Sequence, residues 1–474
     1  MILSRLPERV AEYRYDYAVD DRTRERLDLL VRTYNSCLRG NALKRRYYEG
    51  HVTLREVNLG LALPKDLAGL EIGCAWGAKT VDVLAARSMF DGYVGRNGDA
   101  AALMTRIAAG NNLVTEYSKA TRNELIYGCD FVTLSADPAL GCRISWHSPE
   151  TAAALWNDEK GRIDCGLAVA SVRRKPQQRA LEPSVLAYYD EEATWILRRD
   201  DRDVWTGERY GHKLGRPLMV PLVFDPTSAK PFGRGRLKKP IRELIRGYVR
   251  TMANATIGLE FSTAPQKYLL GVTDKQYDAV IDKKFQTYVG SMILGTSGDN
   301  GEKPAFGQLP QGSLGPHVDM LRMLSTQFSA ATGLTVTDVG VVNDANPTSS
   351  DAILAQSQTL IALAEQLNAG NGAALEEIAL MAQAIARNVT PAELTEEELD
   401  VVAHFRNPAM PSVAVTADAA VKIAGAREGF AETDVFLEML GFSPADIRRI
   451  KAQESRARGL EMLSQVITDE DLTS

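Results

Sequence analysis

The spacing of apolar residues changes period twice along this 474-residue chain, and a chain that does so must keep its helices and its sheet in separate stretches. Between Asp21 and Tyr48, Leu27, Leu30, Val31, Tyr34, Cys37 and Leu38 recur at helical spacing, and Gly50 stands where such a helix would stop. Helical spacing returns over Thr80–Phe90 and Asp99–Tyr117. From Phe131 the period falls to two. Phe131–Leu134, Arg143–Trp146, Gly166–Val172, Ser184–Tyr189 and Thr194–Arg198 read as strands, with turn residues at Asp137-Pro138, Pro149-Glu150 and Asp158–Gly161. Gly215–Phe224 is one more strand, closed by Asp225-Pro226. The pattern predicts an α+β fold with an antiparallel middle.

After a Gly/Pro/basic linker over Ser228–Arg236 the helical period resumes. Leu237–Phe261 predicts a helix of roughly 37 Å. Leu244, Ile245, Tyr248, Val249 and Met252 form one face of it, and Lys239, Arg242, Arg246 and Arg250 form the other. Pro265 ends it. A mixed module follows to Gly312, with a strand at Tyr268–Val272, a helix at Lys275–Thr287 and a loop at Gly295–Gly301. A second helix, Pro316–Leu334, carries Val318, Leu321, Leu324, Phe328 and Ala331 on one face, and Thr335–Pro347 is a polar loop. Thr348 or Ser349 caps a helix running to Leu367, and another covers Ala373–Arg387. An acidic patch (Glu393–Asp400), a strand (Val401–Phe405) and helices at Val415–Ala426, Glu432–Leu440 and Ser443–Leu463 complete the chain.

Composition excludes several functions. Lys and Arg total 55 against 61 Asp and Glu, a formal charge of -6, and a dedicated nucleic-acid binder shows a basic excess instead. The five cysteines, Cys37, Cys74, Cys129, Cys142 and Cys165, are odd in number and widely spaced, which predicts neither disulfides nor a zinc knuckle and fits synthesis in a reducing compartment. No apolar run reaches the roughly 18 residues of a membrane span, and MILSRLPERV is not a signal peptide.

One segment invites an enzymatic reading twice. Leu70–Gly77 (LEIGCAWG) resembles the first motif of S-adenosylmethionine-dependent methyltransferases, although Ala75 and Trp76 stand where a small, flexible stretch belongs. Gly73–Thr80 approaches the P-loop pattern GxxxxGK[ST], with Ala78 in place of the second glycine and Val185–Asp190 as a loose acidic partner for magnesium. No other pair of carboxylates, nucleophile and base, or Cys/His set marks a catalytic constellation, and no cofactor or metal is expected.

The order of elements, taken with a series of short motifs, resembles the portal (head-to-tail connector) proteins of tailed double-stranded DNA bacteriophages. Arg46-Tyr47-Tyr48-Glu49-Gly50 is similar to that family's YYxG. Trp76 with Val81-Asp82-Val83-Leu84-Ala85 resembles its W…VVDxxA, and Phe90-Asp91-Gly92-Tyr93 resembles a turn before its next helix. Asn111-Asn112-Leu113, Glu124–Gly128, Gly215-Arg216-Pro217 with Val220-Pro221-Leu222, and Phe232-Gly233-Arg234-Gly235 follow in order. Ser349–Ile353, Phe405–Pro408 and Ala417–Lys422 match further on, and Ala409–Ser474 matches least.

The resemblance implies a portal fold: a wing over 1–236, a first stem helix over 237–261, an α/β clip over 262–315, a second stem helix over 316–334, a tunnel loop over 335–349, a long helix and wing return over 350–408, and a helical crown over 409–474. It implies a ring, a dodecamer in the virion, at one capsid vertex. Double-stranded DNA would pass through it during packaging and ejection. Terminase, a head-tail adaptor, and the major capsid and scaffolding proteins would be its partners, with synthesis in the host cytoplasm and no membrane. Asp338, Asn343, Asp344 and Asn346 would then lie near DNA, Lys239, Arg242, Arg246 and Arg250 would face channel or shell, and Lys283, Lys284, Asp299 and Glu302 would serve as clip contacts. Such a ring would be strongly acidic overall, which suits a conduit through which DNA must slide.

Overall fold

The computed structural model describes residues 19–52, 72–95, 98–99, 101–174, 181–200, 204–263, 267–272, 293–296, 305–308, 313–340, 350–409, 413–427 and 429–471. The helix expected over Lys275–Thr287 lies outside them, as does most of the Gly295–Gly301 loop. The chain forms two compact units, each discontinuous in sequence. The first comprises Met1–Arg45, Thr80–Leu237 and Thr348–Ser474, and the second Arg46–Lys79 and Lys238–Pro347.

The first unit is built on a five-stranded antiparallel meander, in the order β5 (Ala152–Asn157), β6 (Arg162–Arg174), β7 (Leu181–Tyr189), β8 (Ala193–Arg199) and β9 (Trp205–Gly211). Alternation along these strands divides the side chains between two cores. Ala153, Leu167, Leu186, Tyr188, Trp195 and Leu197 meet Leu27, Leu30, Val31 and Tyr34 of α1 (Asp21–Tyr48). Ala152, Ala154, Ala168, Ala187 and Tyr189 turn the other way, into the central core. Cys37, expected on the apolar stripe of α1, is exposed, because the stripe drifts round the helix through Leu38 to the buried Asn41. Asn41 donates from Nδ2 to the Pro149 carbonyl at 3.0 Å, and the Tyr34 hydroxyl donates to the Glu150 carbonyl at 2.7 Å.

The central core lies between a three-stranded sheet, β10–β3–β4 (Met219–Val223, Cys129–Asp137, Gly141–His147), and three helices: α3 (Ala102–Gly110), α4 (Leu113–Tyr127) and α7 (Ser350–Arg387). The single helix expected over Asp99–Tyr117 is therefore two. Asn112 sits at φ 51°, and the Asn111 amide bridges the helix end to β4, donating to the Ile107 and Cys142 carbonyls and accepting from the Ile144 N–H, each at 2.9 Å. The break is made by pairing with a distant strand. The reverse holds for α7. Two helices are expected there, on either side of Gly370-Asn371-Gly372, yet the segment runs unbroken. Asn371 is fully buried and its Nδ2 bonds the Tyr117 hydroxyl at 3.0 Å and Glu124 Oε2 at 2.8 Å, while Leu375, Ile378 and Met381 fill the core. Tertiary packing overrides the low helix propensity of the two glycines.

Phe90–Tyr93, expected as a turn, opens β1 (Phe90–Gly95). It pairs antiparallel with β14 (Val402–Phe405), with Phe90 opposite Phe405 and Tyr93 opposite Ala403, and with the short β2 (Gly98–Asp99) on its other side. After α7 the acidic patch folds into capping boxes at Thr390/Glu393 and, on α8 (Glu396–Leu399), at Thr395/Glu398; Glu398 also bonds Arg387. The unit ends in α9 (Val413–Ala426), α10 (Asp434–Met439) and α11 (Pro444–Asp471).

In the second unit α5 (Lys239–Thr263) packs along α6 (Gly315–Thr332), and a small mixed sheet sets β11 (Lys267–Val272) between the parallel β12 (Ile293–Thr296) and the antiparallel β13 (Ala305–Gln308). Among the described residues no helix is long and apolar enough to cross a membrane. All five cysteines are free, and every one but Cys37 is buried.

Glu124 is the most consequential buried polar group of the first unit. Burial pushes its pKa up to about 8, against a smaller lowering by the Asn371 amide, and burial raises the neighbouring Asp130 in the same direction. Glu124 is therefore held mainly neutral near pH 7. Because its folded value lies above the unfolded one, stability is fully present below the ordinary carboxylate range and is lost as pH rises towards 8. Glu124→Gln keeps the shape and removes the titration. Its melting temperature should gain on wild type at pH 8.5 relative to pH 5.5, a difference that two thermal denaturation curves per variant measure.

Candidate functional site

Of the residues singled out by sequence, Arg242, Arg246 and Gly77 lie around Tyr47 in the second unit. The buried seam of α5 is Ile241, Ile245, Val249 and Ala253, spaced four apart. On α6 the seam is Leu324, Ser325, Phe328, Ser329 and Thr332. Val318 and Ala331, expected on that face, are exposed. The stripe is rotated because small hydroxyl residues, rather than large apolar ones, let the two helices close. Each hydroxyl is satisfied within its own helix or at its end: Ser325 donates to the Leu321 carbonyl at 2.8 Å, Thr332 to Phe328 at 2.7 Å and Ser329 to Leu334 at 2.6 Å. Gly247 of α5 admits Leu324, whose Cδ2 lies 3.2 Å from where a Cβ would stand.

The four cations of α5 divide into two pairs. The Arg242 and Arg246 guanidinium carbons both lie 5.9 Å from the centroid of the buried Tyr47 ring. Arg246 donates from Nε to the Tyr47 hydroxyl at 2.6 Å and from an Nη to Glu243 at 3.0 Å. Desolvation works against the charge of Arg246, but the Tyr47 hydroxyl and Glu243 outweigh it and its pKa rises. These two arginines are committed to an aromatic ring of their own chain. Lys239 and Arg250 are exposed. Nothing in the spacing of the cations signals this division; Tyr47 stood out only as part of the Tyr47-Tyr48-Glu49-Gly50 motif, and its partners lie about 200 residues away in sequence.

The segment with two enzymatic readings is occupied by packing. Helix α2 (Trp76–Ala85) begins inside it, so Gly77, Lys79 and Thr80 are helical rather than part of a phosphate-cradling loop. The Trp76 ring sits between Tyr248 and Phe328, at 4.4 and 4.5 Å between centroids. A Cβ on Gly77 would stand 1.9 Å from the Tyr47 carbonyl oxygen. That glycine therefore exists for a close approach to a hydrogen-bond acceptor, which would repel a phosphate oxygen. Lys79 is exposed.

Of the loop residues expected near DNA, Asp338 is described, and its carboxylate turns inward. Oδ2 accepts from the Thr335 N–H at 3.0 Å and the Thr335 hydroxyl at 2.8 Å, while the Asp338 N–H returns to that hydroxyl at 3.1 Å. The side chain closes the turn after α6. Asn343, Asp344 and Asn346 lie outside the described residues, as do Lys283, Lys284, Asp299 and Glu302. Among the described residues no cluster of His, Cys, Asp and Glu could hold a metal ion.

Around Tyr47, aromatic, cationic and glycine residues that look reactive in sequence are used to lock helices together. The family model for phage portal proteins of the SPP1 Gp6-like type matches residues 19–459, and the chain belongs to that family. The portal protein of Mycobacterium phage D29 is 23% identical over 443 residues, covering 91% of this chain and 88% of the relative. The portal protein of Mycobacterium phage L5 is 22% identical over 448 residues, covering 92% and 90%. Among solved structures, a chain from the virion of a native gene transfer agent particle aligns over 77% of this chain and 89% of its own length, at 12% identity and a TM-score of 0.43.

Two substitutions separate packing from ligand binding. Gly77→Ala forces the Tyr47 carbonyl away and should cost about 3 kcal/mol, whereas Gly73→Ala, with nothing within 4 Å of its Cβ, should be close to neutral. Chemical denaturation distinguishes them. Tyr47→Phe should lose about 1–2 kcal/mol by the same measurement, the value of one charge-assisted hydrogen bond.

Proposed function

We propose that this chain assembles into a ring, a dodecamer in the particle, at a single capsid vertex, and that double-stranded DNA passes through the ring during packaging and ejection. What supports the reading is the reach of the family match, residues 19–459, which takes in both units. In this reading α5 and α6 are the stem, the sheet of β11, β12 and β13 belongs to the clip, residues 335–349 form the tunnel loop, residues 1–236 with the return over 350–408 form the wing, and α9, α10 and α11 belong to the crown. Terminase and a head-tail adaptor dock at the clip in turn, and the capsid and scaffolding proteins surround the ring. The work is conduction and docking rather than bond-making chemistry.

The division of the basic face sharpens what each cation does. Lys239 and Arg250, both exposed, are the residues that meet phosphate or the shell. Arg242 and Arg246 hold Tyr47 and act on stability. The formal charge of -6 per chain favours passage over grip, since each phosphate neutralised by a fixed cation adds affinity that would slow sliding.

Light scattering after size exclusion, with negative-stain imaging, tests the assembly directly. The expected result is a ring of about a dozen subunits with a central hole, formed without nucleotide. A nucleotide-dependent turnover that Lys79→Ala abolishes would overturn it. For the cations, Lys239→Glu with Arg250→Glu should leave the melting temperature near wild type and reduce DNA packaged per particle, while Arg246→Glu should lower the melting temperature. Wild-type packaging and capsid incorporation in the double variant would remove Lys239 and Arg250 from this role.

A further inference from the structure

A groove of about 560 Å³ opens in the first unit along strand β10. Its walls come from the β5–β6 hairpin (Trp156, Ile163), from α7 (Gly370, Ala374) and from the stretch after β10 (Pro226, Pro231). β10 is the terminal strand of its sheet and pairs with β3 alone. The register decides which of its peptide groups are free. The Leu218 carbonyl accepts from the Leu134 N–H and the Phe224 N–H donates to the Gly128 carbonyl, so even-numbered residues bond inward to β3. Odd-numbered residues turn their peptide groups outward. Pro221 occupies one of these outward positions, where its missing N–H costs the ladder nothing. The Pro221 carbonyl and the Val223 N–H and carbonyl form no hydrogen bond among the described residues. All of them border the groove.

Four charged side chains line the groove, two of each sign. Arg162 and Arg216 both line it, with Glu377 as the carboxylate beside them and Asp158 at the exposed rim. Glu377 is paired with Arg216. Arg162 donates only to the Gly215 carbonyl, at 3.1 Å, its Nε is buried with no hydrogen-bond partner, and it forms no ion pair among the described residues. Arg162 is thus the cation of the groove that no carboxylate pairs among the described residues, while Asp158 balances its charge from the rim. The floor supplies space where a helix would ordinarily place a side chain: a Cβ on Gly370 would meet nothing within 4 Å. A glycine there lowers the helix propensity of the segment relative to alanine.

We propose that this groove takes an extended acidic peptide segment of a partner protein, which adds as a strand to the free edge of β10 and sets a carboxylate against Arg162. Main-chain bonds to Pro221 and Val223 supply part of the affinity, and the apolar walls with Arg162 select the side chains. The proposal does not depend on the portal reading and stands or falls separately from ring formation.

The test uses the full chain with two fluorescein-labelled ten-residue peptides, one alternating valine and glutamate and the other valine and lysine, read by fluorescence polarisation. Deuterium exchange of the segment holding Val223 is followed in parallel. The glutamate peptide should bind saturably, about tenfold or more tighter than the lysine peptide, and should slow exchange at Val223. Arg162→Glu should remove or invert that preference. Gly370→Trp should abolish binding, and Gly370→Ala should retain it with slightly raised stability. Equal binding of the two peptides, a Val223 amide already protected in the free chain, or wild-type binding by Arg162→Glu would overturn the proposal. So would competition by a DNA duplex that follows the same variants. Because Arg162 is a partly exposed strand residue, its variant remains informative even if Gly370→Trp fails to fold.

Discussion

Each unit of this protein rests on a helix end that a glycine lets another segment approach closely. At the end of α4 the Arg236 N–H donates to the Leu125 carbonyl at 2.7 Å, Lys44 Nζ donates to the Tyr127 carbonyl at 2.6 Å, and a Cβ on Gly235 would stand 2.1 Å from the Ile126 carbonyl oxygen. Three successive carbonyls that a helix terminus leaves unpaired or exposed are thus covered. In the second unit the Tyr47 carbonyl faces Gly77 in the same way. Contacts this short depend on the absence of one methyl group, so the elements they join cannot slide without separating. Helix α1 is held by its cations as well: Arg45 reaches Glu150 at 3.3 Å, and Glu150 also accepts from the Tyr127 hydroxyl at 2.6 Å.

Buried polar groups carry the second layer of specification. Ser88, Tyr117, Glu124 and Asn371 form one hydrogen-bonded chain from the end of α2 through α4 to α7. An apolar interface would let α7 settle in several registers. The paired amide of Asn371 allows one, at the cost of a carboxyl held neutral by burial. The same logic separates Arg242 and Arg246 from Lys239 and Arg250. A guanidinium over a buried ring is a structural element, whereas an exposed ammonium or guanidinium is free to meet a partner.

Much of the fold was legible in the chain because periodicity reports which face of an element is buried. Apart from β5, the strands from Cys129 to Arg199, the helix Asp21–Tyr48 and the helix Lys239–Thr263 follow from it with ends shifted by a few residues. Five strands escaped: the short β2, β12 and β13, and the longer β5 and β9. β5 is Ala-Ala-Ala-Leu-Trp-Asn, too small-sided to show alternation, and β9 is Trp-Thr-Gly-Glu-Arg-Tyr-Gly, an edge strand with an exposed face. β1 was read as a turn because Asp91-Gly92 has turn chemistry, and only the pairing of Phe90 with Phe405 and of Tyr93 with Ala403 makes it a strand. Of the candidate site, the residue types were visible but their use was not: the Gly73–Thr80 segment carries two ligand-binding patterns in sequence and packs against Tyr47, Tyr248 and Phe328 in space.

By itself, then, the sequence determined the class of fold, the order of the elements and the family, because each depends on local periodicity and on motifs read in series. Only the tertiary structure decided that α7 runs through two glycines, that α3 and α4 part at Asn112, that Tyr47 claims two of the four cations of α5, and that β10 keeps a free edge beside an unpaired arginine. The physical reason is the same in every case. A propensity of about 1 kcal/mol per residue is smaller than the packing and hydrogen bonding supplied by a segment tens to hundreds of residues away, and which distant segment arrives is not written in the spacing of any one stretch.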